Sequence, residues 1–189
     1  MLILASSSPQ RQRLLKELGV EFEVIPSSIN EAEVILEDPI ERAKVLARLK
    51  AEDVSRNYSD AWVIGSDTLV VSSAGNLLEK PSDESHAREM LREQSGGVSQ
   101  VHSAISLITP TSKKHEDVST SHVHFRKLTD EDLDWWISTG LWEDRSGSFQ
   151  IEGEGQRLVE KLEGDFNGVV GLPIDLLSKL FRDAGFIIP

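Results

Sequence analysis

The segment Ala61-Trp-Val-Ile-Gly-Ser-Asp-Thr-Leu-Val-Val71 constrains the fold more than any other part of the chain. Its two ends have the composition of a buried strand, while its middle is the polar triplet Ser66-Asp67-Thr68 beside Gly65. A carboxylate inside a buried strand is costly unless it is paired or holds a metal. Asp67 therefore has two readings. Either the strand bulges or ends there and Asp67 caps a neighbouring turn, or Asp67 belongs to a site where it ligates metal or activates water.

Around this segment, strand and helix signals mix without strict alternation. They predict an α/β fold with a mixed, partly antiparallel central sheet flanked by helices. A length of 189 residues favours one domain, or two small lobes sharing a core. Leu2–Ala5 reads as a short strand; Ser8 then caps a helix with Pro9 in its first position, running to about Leu18 and stopped by Gly19. Val20–Pro26 alternates like a strand, and Asp38-Pro39-Ile40-Glu41 starts a helix to about Val54. Ser72–Asn76 is a turn, and Ser82 or Asp83 caps a helix reaching Glu93. Val101–Thr109 and Val118–Phe125 are expected as strands. Thr129 caps a helix ending at Gly140, a strand is expected near Arg157–Leu162, and Pro173 opens a last helix stopped by Gly185.

Charge and composition exclude several classes of function. With 20 basic and 32 acidic residues the net charge is −12, a field that repels a phosphate backbone and argues against nucleic-acid polymers as partners. The acidity avoids the first quarter, where residues 1–50 carry seven basic and eight acidic groups. A small anion would be handled there. The absence of cysteine removes disulfides, thiolate nucleophiles and Cys-ligated zinc. No apolar run approaches the roughly 20 residues of a membrane span, and Met1–Ala5 is too short for a signal peptide, so cytoplasm is the expected compartment.

Further residues carry two readings each. The stretch Ser6-Ser-Ser-Pro-Gln-Arg11 is either a plain helix cap with an exposed arginine or a phosphate cradle of N–H groups, the helix dipole and the Arg11 fork. Lys50 falls on the inward stripe Ile40, Ala43, Ala47, Lys50, Val54; it either snorkels to water or meets an anion in a cleft. Lys80, in Glu79-Lys-Pro81, is solvated or belongs to the same region. Glu31 and Glu33 are surface charge, or Glu31 joins Asp67 on a metal. His122 and His124 share a strand face without a third ligand, which argues against zinc. There is no GxxxxGK[ST] loop, and the glycines of 147–155 do not fit GxGxxG. Trp135, Trp136 and Trp142 are core or a homodimer patch.

In order, Leu4-Ala-Ser-Ser-Ser-Pro-x-Arg11, Arg48-Leu-Lys-Ala51, Ile64-Gly-Ser-Asp-Thr68 and Glu79-Lys-Pro81 resemble the Maf family of nucleoside triphosphate pyrophosphatases. The likeness continues through Met90-Leu91, Ser95-Gly96, Phe125-Arg126, Leu128, Gly147-Ser-Phe149, Glu152-Gly153 and Val170-Gly-Leu-Pro173, essentially the whole chain. It implies a single domain over residues 1–189 with two lobes around a cleft, similar in fold to inosine triphosphatases. It also implies cleavage between the α- and β-phosphates with a divalent cation, Mg2+ or Mn2+. On this resemblance Asp67 is the proton acceptor or a metal ligand, Glu31 its acidic partner on the metal, and Ser8, Arg11, Lys50 and Lys80 the phosphate-binding set.

The positions tied to base choice are mixed. Members similar to dTTP/UTP pyrophosphatases carry Arg, Thr and Gln where this chain has Gln10, Thr68 and Glu152; those similar to 7-methyl-GTP pyrophosphatases carry Trp, Gln and Glu. A glutamate suits the adjacent donors of a guanine edge, and a glutamine suits thymine or uracil. Ser99 stands where the thymidine-type subgroup often has histidine, and Gly147-Ser-Phe149 resembles the guanine type. The resemblance thus leans to 7-methyl-GTP, with dTTP/UTP as the alternative. A nucleotide-binding regulatory module with vestigial hydrolysis is a further alternative, which the joint presence of Asp67, Lys50 and Lys80 disfavours. A haloacid-type phosphatase would need a second aspartate at position 69, where the chain has leucine.

Overall fold

In the computed structural model, which describes residues 1–188, the segment around Asp67 is one uninterrupted strand, β3 (Trp62–Val71). The polar triplet does not end it. The remaining elements are β1 (Leu2–Leu4), α1 (Pro9–Glu17), β2 (Glu23–Val24), α2 (Pro39–Ser55), β4 (Leu77–Leu78), α3 (Glu84–Gln94), β5 (Val98–Ile108) and β6 (Lys114–Phe125). They are followed by α4 (Asp130–Ser138), β7 (Val159–Glu163), α5 (Phe166–Val170) and α6 (Ile174–Ala184), with short 3-10 turns at Glu31–Glu33, Ser146–Ser148 and Gly153–Leu158. The expected mixed α/β architecture is found. One seven-stranded sheet has the order β2-β1-β3-β5-β6-β7, with β4 added to β3. β1 runs parallel to both neighbours, Ile3 lying opposite Glu23 and Val63, while β4 and β7 pair antiparallel.

The predicted helix starts form for the predicted reasons. Ser8 Oγ accepts from the Arg11 N–H at 3.4 Å with Pro9 in the first turn, and Asp38 accepts from the Ile40 N–H at 2.8 Å. Asp83 and Thr129 cap α3 and α4, and Gly185 ends α6 in the left-handed conformation. One strand expectation is met only in part. Val20–Pro26 contributes only the two exposed residues of β2, because few apolar side chains there find a face to bury. The strand expected near Arg157–Leu162 forms as β7, Val159–Glu163, preceded by a 3-10 turn over Gly153–Leu158.

The chain divides into two compact units, Met1–Thr68 with Ser103–Ser119 and the chain from Gly171, and Leu69–His102 with Thr120–Val170. The first has a core around Ile3, Ala5, Ala51, Val54, Ala61, Val63 and Ile108. The second is built on Leu91, Val123, Phe125, Trp136, Phe149 and Leu158, with Phe125 and Phe149 edge to face at 4.9 Å. Trp136 is thus core, its indole N–H donating to the Ser148 carbonyl at 2.8 Å. Among the described residues no helix is long and apolar enough to cross a membrane.

Candidate active site

The first unit holds two adjoining groups of site residues. Their placement starts with Gly65: a Cβ there would lie 2.1 Å from the Ala47 carbonyl oxygen and 2.7 Å from the Ala51 nitrogen. Only glycine lets the backbone of α2 press against β3 so closely. That approach brings Lys50, on the inward stripe of α2, over Asp67. Lys50 Nζ donates to Asp67 Oδ1 at 2.6 Å, and both side chains are buried, at 7% and 6% exposure. Lys50 does not snorkel; its ammonium stops in the interior. The same Nζ lies 2.9 Å from Glu31 Oε1, whose own side chain is exposed. Asp67 Oδ2 is buried and has no hydrogen-bond partner.

The second group surrounds the start of α1. No acidic residue sits in its first turn, so the positive end of the helix is not neutralised locally. Arg11 is held by neutral acceptors: Nε donates to the Gly171 carbonyl at 2.9 Å, one terminal nitrogen to Ser6 Oγ at 3.2 Å and the other to Thr68 Oγ1 at 3.3 Å. Burial pushes the Arg11 pKa below its ordinary value, and the negative charges of Asp67 and Glu31 push the other way. Ser8 Oγ also donates to Gln10 Oε1 at 3.2 Å. Thr68 Oγ1 lies 2.9 Å from Ser103 Oγ and 3.4 Å from the Gly171 carbonyl, so its hydroxyl is committed to the Arg11 network.

Six of the residues singled out from sequence, Ser8, Gln10, Arg11, Lys50, Asp67 and Thr68, therefore fall in these two groups, and Glu31 joins them through Lys50. Lys80 and Glu152 belong to the second unit. Lys80 is exposed, with Nζ 3.6 Å from Asp144 Oδ1. Glu152 is half-buried and precedes the 3-10 turn at 153–158, its carbonyl accepting from Gln150 at 3.3 Å and from the Gly155 N–H at 3.1 Å. Sequence reasoning placed Ser6 in the cradle stretch but missed that it accepts from Arg11, and missed Ser103 and the Gly171 carbonyl in the same network. No cluster of three acidic or histidine ligands occurs among the described residues. The carboxylates that could hold a cation are Glu31 and Asp67, which share one ammonium.

Fold and site together define an α/β protein with a buried lysine–carboxylate pair beside a cationic helix start, an arrangement suited to a phosphorylated ligand. The chain belongs to the Maf family: the family model described as "Maf-like protein" matches residues 1–184. It is 42% identical to a dTTP/UTP pyrophosphatase of Deinococcus radiodurans over 184 residues, covering 97% of this chain and 92% of the relative. It is 39% identical to a dTTP/UTP pyrophosphatase of Pyrococcus furiosus, covering 96% and 94%. In fold it is similar to the Ham1 protein of Staphylococcus aureus, with a TM-score of 0.55 at 14% identity, covering 97% of this chain and 98% of that one.

Proposed function

We propose that the chain hydrolyses nucleoside triphosphates to the monophosphate and pyrophosphate, with dTTP and UTP as its substrates. The observation that carries the reaction is Asp67 Oδ2, a buried acceptor with no partner on a carboxylate whose other oxygen is held by Lys50. A structural pair satisfies both oxygens; a free one beside a cationic site is placed to take a proton. Water attacks the α-phosphorus, its proton passes to Asp67 Oδ2, the bond from the α-phosphorus to the bridging oxygen breaks, and pyrophosphate leaves. Arg11 and the first N–H groups of α1 bind phosphate oxygens, and Lys50 balances the charge of the carboxylates.

A divalent cation fits this donor set. Mg2+ takes one or two carboxylates, the rest of its shell being water and substrate phosphate. Glu31 and Asp67 are two such carboxylates, already drawn to one ammonium. Such an ion, when bound, supplies charge neutralisation on the triphosphate.

The choice of base rests on the relatives. Their names support dTTP/UTP and give no support to the 7-methyl-GTP lean drawn from Glu152 and Gly147-Ser-Phe149. A carboxylate at 152 can still serve a pyrimidine, one oxygen accepting from the single ring N–H between the two carbonyls. Thr68, spent on Arg11 and Ser103, acts by orienting the arginine. A panel of canonical and modified nucleoside triphosphates, scored for pyrophosphate release with Mg2+ and Mn2+, tests the proposal. Preference for dTTP and UTP is expected, with Glu152→Gln retaining it; preference for 7-methyl-GTP would reverse the assignment of base.

A further inference from the structure

Gly171 stands shortly before α6 with φ 134°, a backbone conformation that glycine alone adopts readily. Space is not what calls for glycine there. A Cβ would meet Arg11 Nε at 3.7 Å, Arg11 Cγ at 3.8 Å and Thr68 Oγ1 at 4.0 Å, all ordinary contacts. The conformation itself is what matters, because it sets the direction of the Gly171 carbonyl. That oxygen accepts from Arg11 Nε at 2.9 Å, from Ser66 Oγ at 3.3 Å and from Thr68 Oγ1 at 3.4 Å. Side chains alternate along β3, so Ser66 and Thr68 share one face and both reach the same carbonyl.

Thr68 has a single proton to give. Its oxygen accepts from Arg11 at 3.3 Å and lies 2.9 Å from Ser103 Oγ, with the Gly171 carbonyl on its other side. All of these bonds coexist in one arrangement, with Ser103 donating to Thr68 and Thr68 donating to Gly171. Ser103, fully buried on β5, thereby fixes the hydroxyl that receives Arg11. Arg11 spends its Nε–H on Gly171 and one N–H of each terminal nitrogen on Ser6 and Thr68. Each terminal nitrogen keeps a second N–H, and the side chain is only partly buried. All of these residues belong to the first unit.

We propose that Gly171 and Ser103 are positioning residues for substrate binding: through the Gly171 carbonyl and the Thr68 hydroxyl they hold Arg11 so that its remaining N–H pair meets a phosphate. The inference rests on the phosphorylated substrate proposed above. An untethered arginine loses side-chain freedom when it takes an anion, and tethers formed on folding remove that loss in advance. The tethers of Arg11 are neutral, so they order the guanidinium without cancelling its charge. Arg48 shows the alternative, since Glu116 orders it and neutralises it together.

The test is calorimetric binding of inorganic tripolyphosphate to the full chain, with dTTP hydrolysis measured on the same preparations. Ser103→Ala should bind about three- to tenfold more weakly than wild type, as expected for losing one neutral hydrogen bond. Gly171→Ala should lose more, at least about tenfold, because alanine does not hold the backbone that aims the carbonyl. Ser106→Ala removes the same hydroxyl from another buried serine of β5, one that donates to Glu116, and should bind within about twofold of wild type. The decisive comparison is made in an Arg11→Met background. There Ser103→Ala should have no further effect, because the serine acts through the arginine. Full additivity of the two losses, wild-type affinity in Ser103→Ala, or wild-type affinity in Arg11→Met would each overturn the inference. If wild type hydrolyses dTTP while Ser103→Ala binds and turns over unchanged, the positioning role alone fails. If Ser103 and Arg11 are coupled in binding but wild type hydrolyses no triphosphate, the proposed reaction fails and the positioning role stands.

Discussion

Helix α2 carries two cations, two residues apart, that meet acidic partners in different ways. Arg48 faces Glu116 on β6: Nε donates to both carboxylate oxygens at 2.9 and 3.0 Å, a terminal nitrogen donates to Oε2 at 2.7 Å, and Ser106 donates to Oε1 at 2.8 Å. Every oxygen of that carboxylate is used. Lys50 faces Asp67 through one oxygen, while Oδ2 of the same carboxylate, more deeply buried, has no partner. Both are ion pairs on one helix, and only one is complete. The complete pair ties α2 to the β5–β6 hairpin and has nothing left to offer a ligand. The incomplete one leaves a buried carboxylate oxygen unsatisfied, a cost of the kind that gathers at functional sites.

The sharpest way to break this comparison is Lys50→Met. It leaves Asp67 buried without its counter-charge and should cost about 3–5 kcal/mol in denaturant unfolding, with most of that recovered in the Lys50→Met/Asp67→Asn double variant. A double variant no more stable than the single would mean that the pair is not the unit described. Next in size is Gly65→Ala. The new methyl meets backbone on α2, so overpacking of about 1–3 kcal/mol is expected together with a fall in turnover, as Lys50 is pushed off Asp67. Unchanged melting would show that the close approach is not required.

Glu116→Gln probes the other pair. Loss of the charged bidentate contact should lower stability by about 1–3 kcal/mol while kcat and KM stay within about twofold of wild type. The smallest effect is its pH dependence. Burial pushes the Glu116 pKa up, but hydrogen bonds from Arg48 and Ser106 outweigh it and hold the group below its ordinary 4.5. Glu116 therefore contributes its full stability above the unfolded value, and that contribution is lost as pH falls through the lower folded value. Between pH 5 and pH 3, by that relation, wild type should lose stability more steeply than Glu116→Gln; parallel curves would remove Glu116 from the account.

These two pairs also mark how far the sequence could be read. The polar triplet in an apolar segment and a lysine on an inward helical stripe each break a local pattern, and both fall in the candidate site. Glu116 breaks none: it sits in the polar first part of β6, and its role depends on Arg48, 68 residues away. The same holds for Ser103, which meets Thr68 across 35 residues, and for Gln94, whose amide is spent on a turn 53 residues on. Local chemistry announces an anomaly, but its partner is fixed only by sheet order and helix packing. The continuity of β3 is the clearest case, since the triplet is stable in mid-strand only because Lys50 and Ser103 arrive from other elements.

The central claim is that the unpaired oxygen of Asp67 takes the proton, while the satisfied carboxylate of Glu116 only holds the fold. Pyrophosphate release from dTTP by Asp67→Asn and Glu116→Gln, each with its melting temperature, tests it directly. Asp67→Asn should keep its fold and lose about 10²–10⁴-fold in kcat, as expected for removing a general base, while Glu116→Gln loses stability and keeps turnover. An Asp67→Asn enzyme that turns over at the wild-type rate would contradict the account.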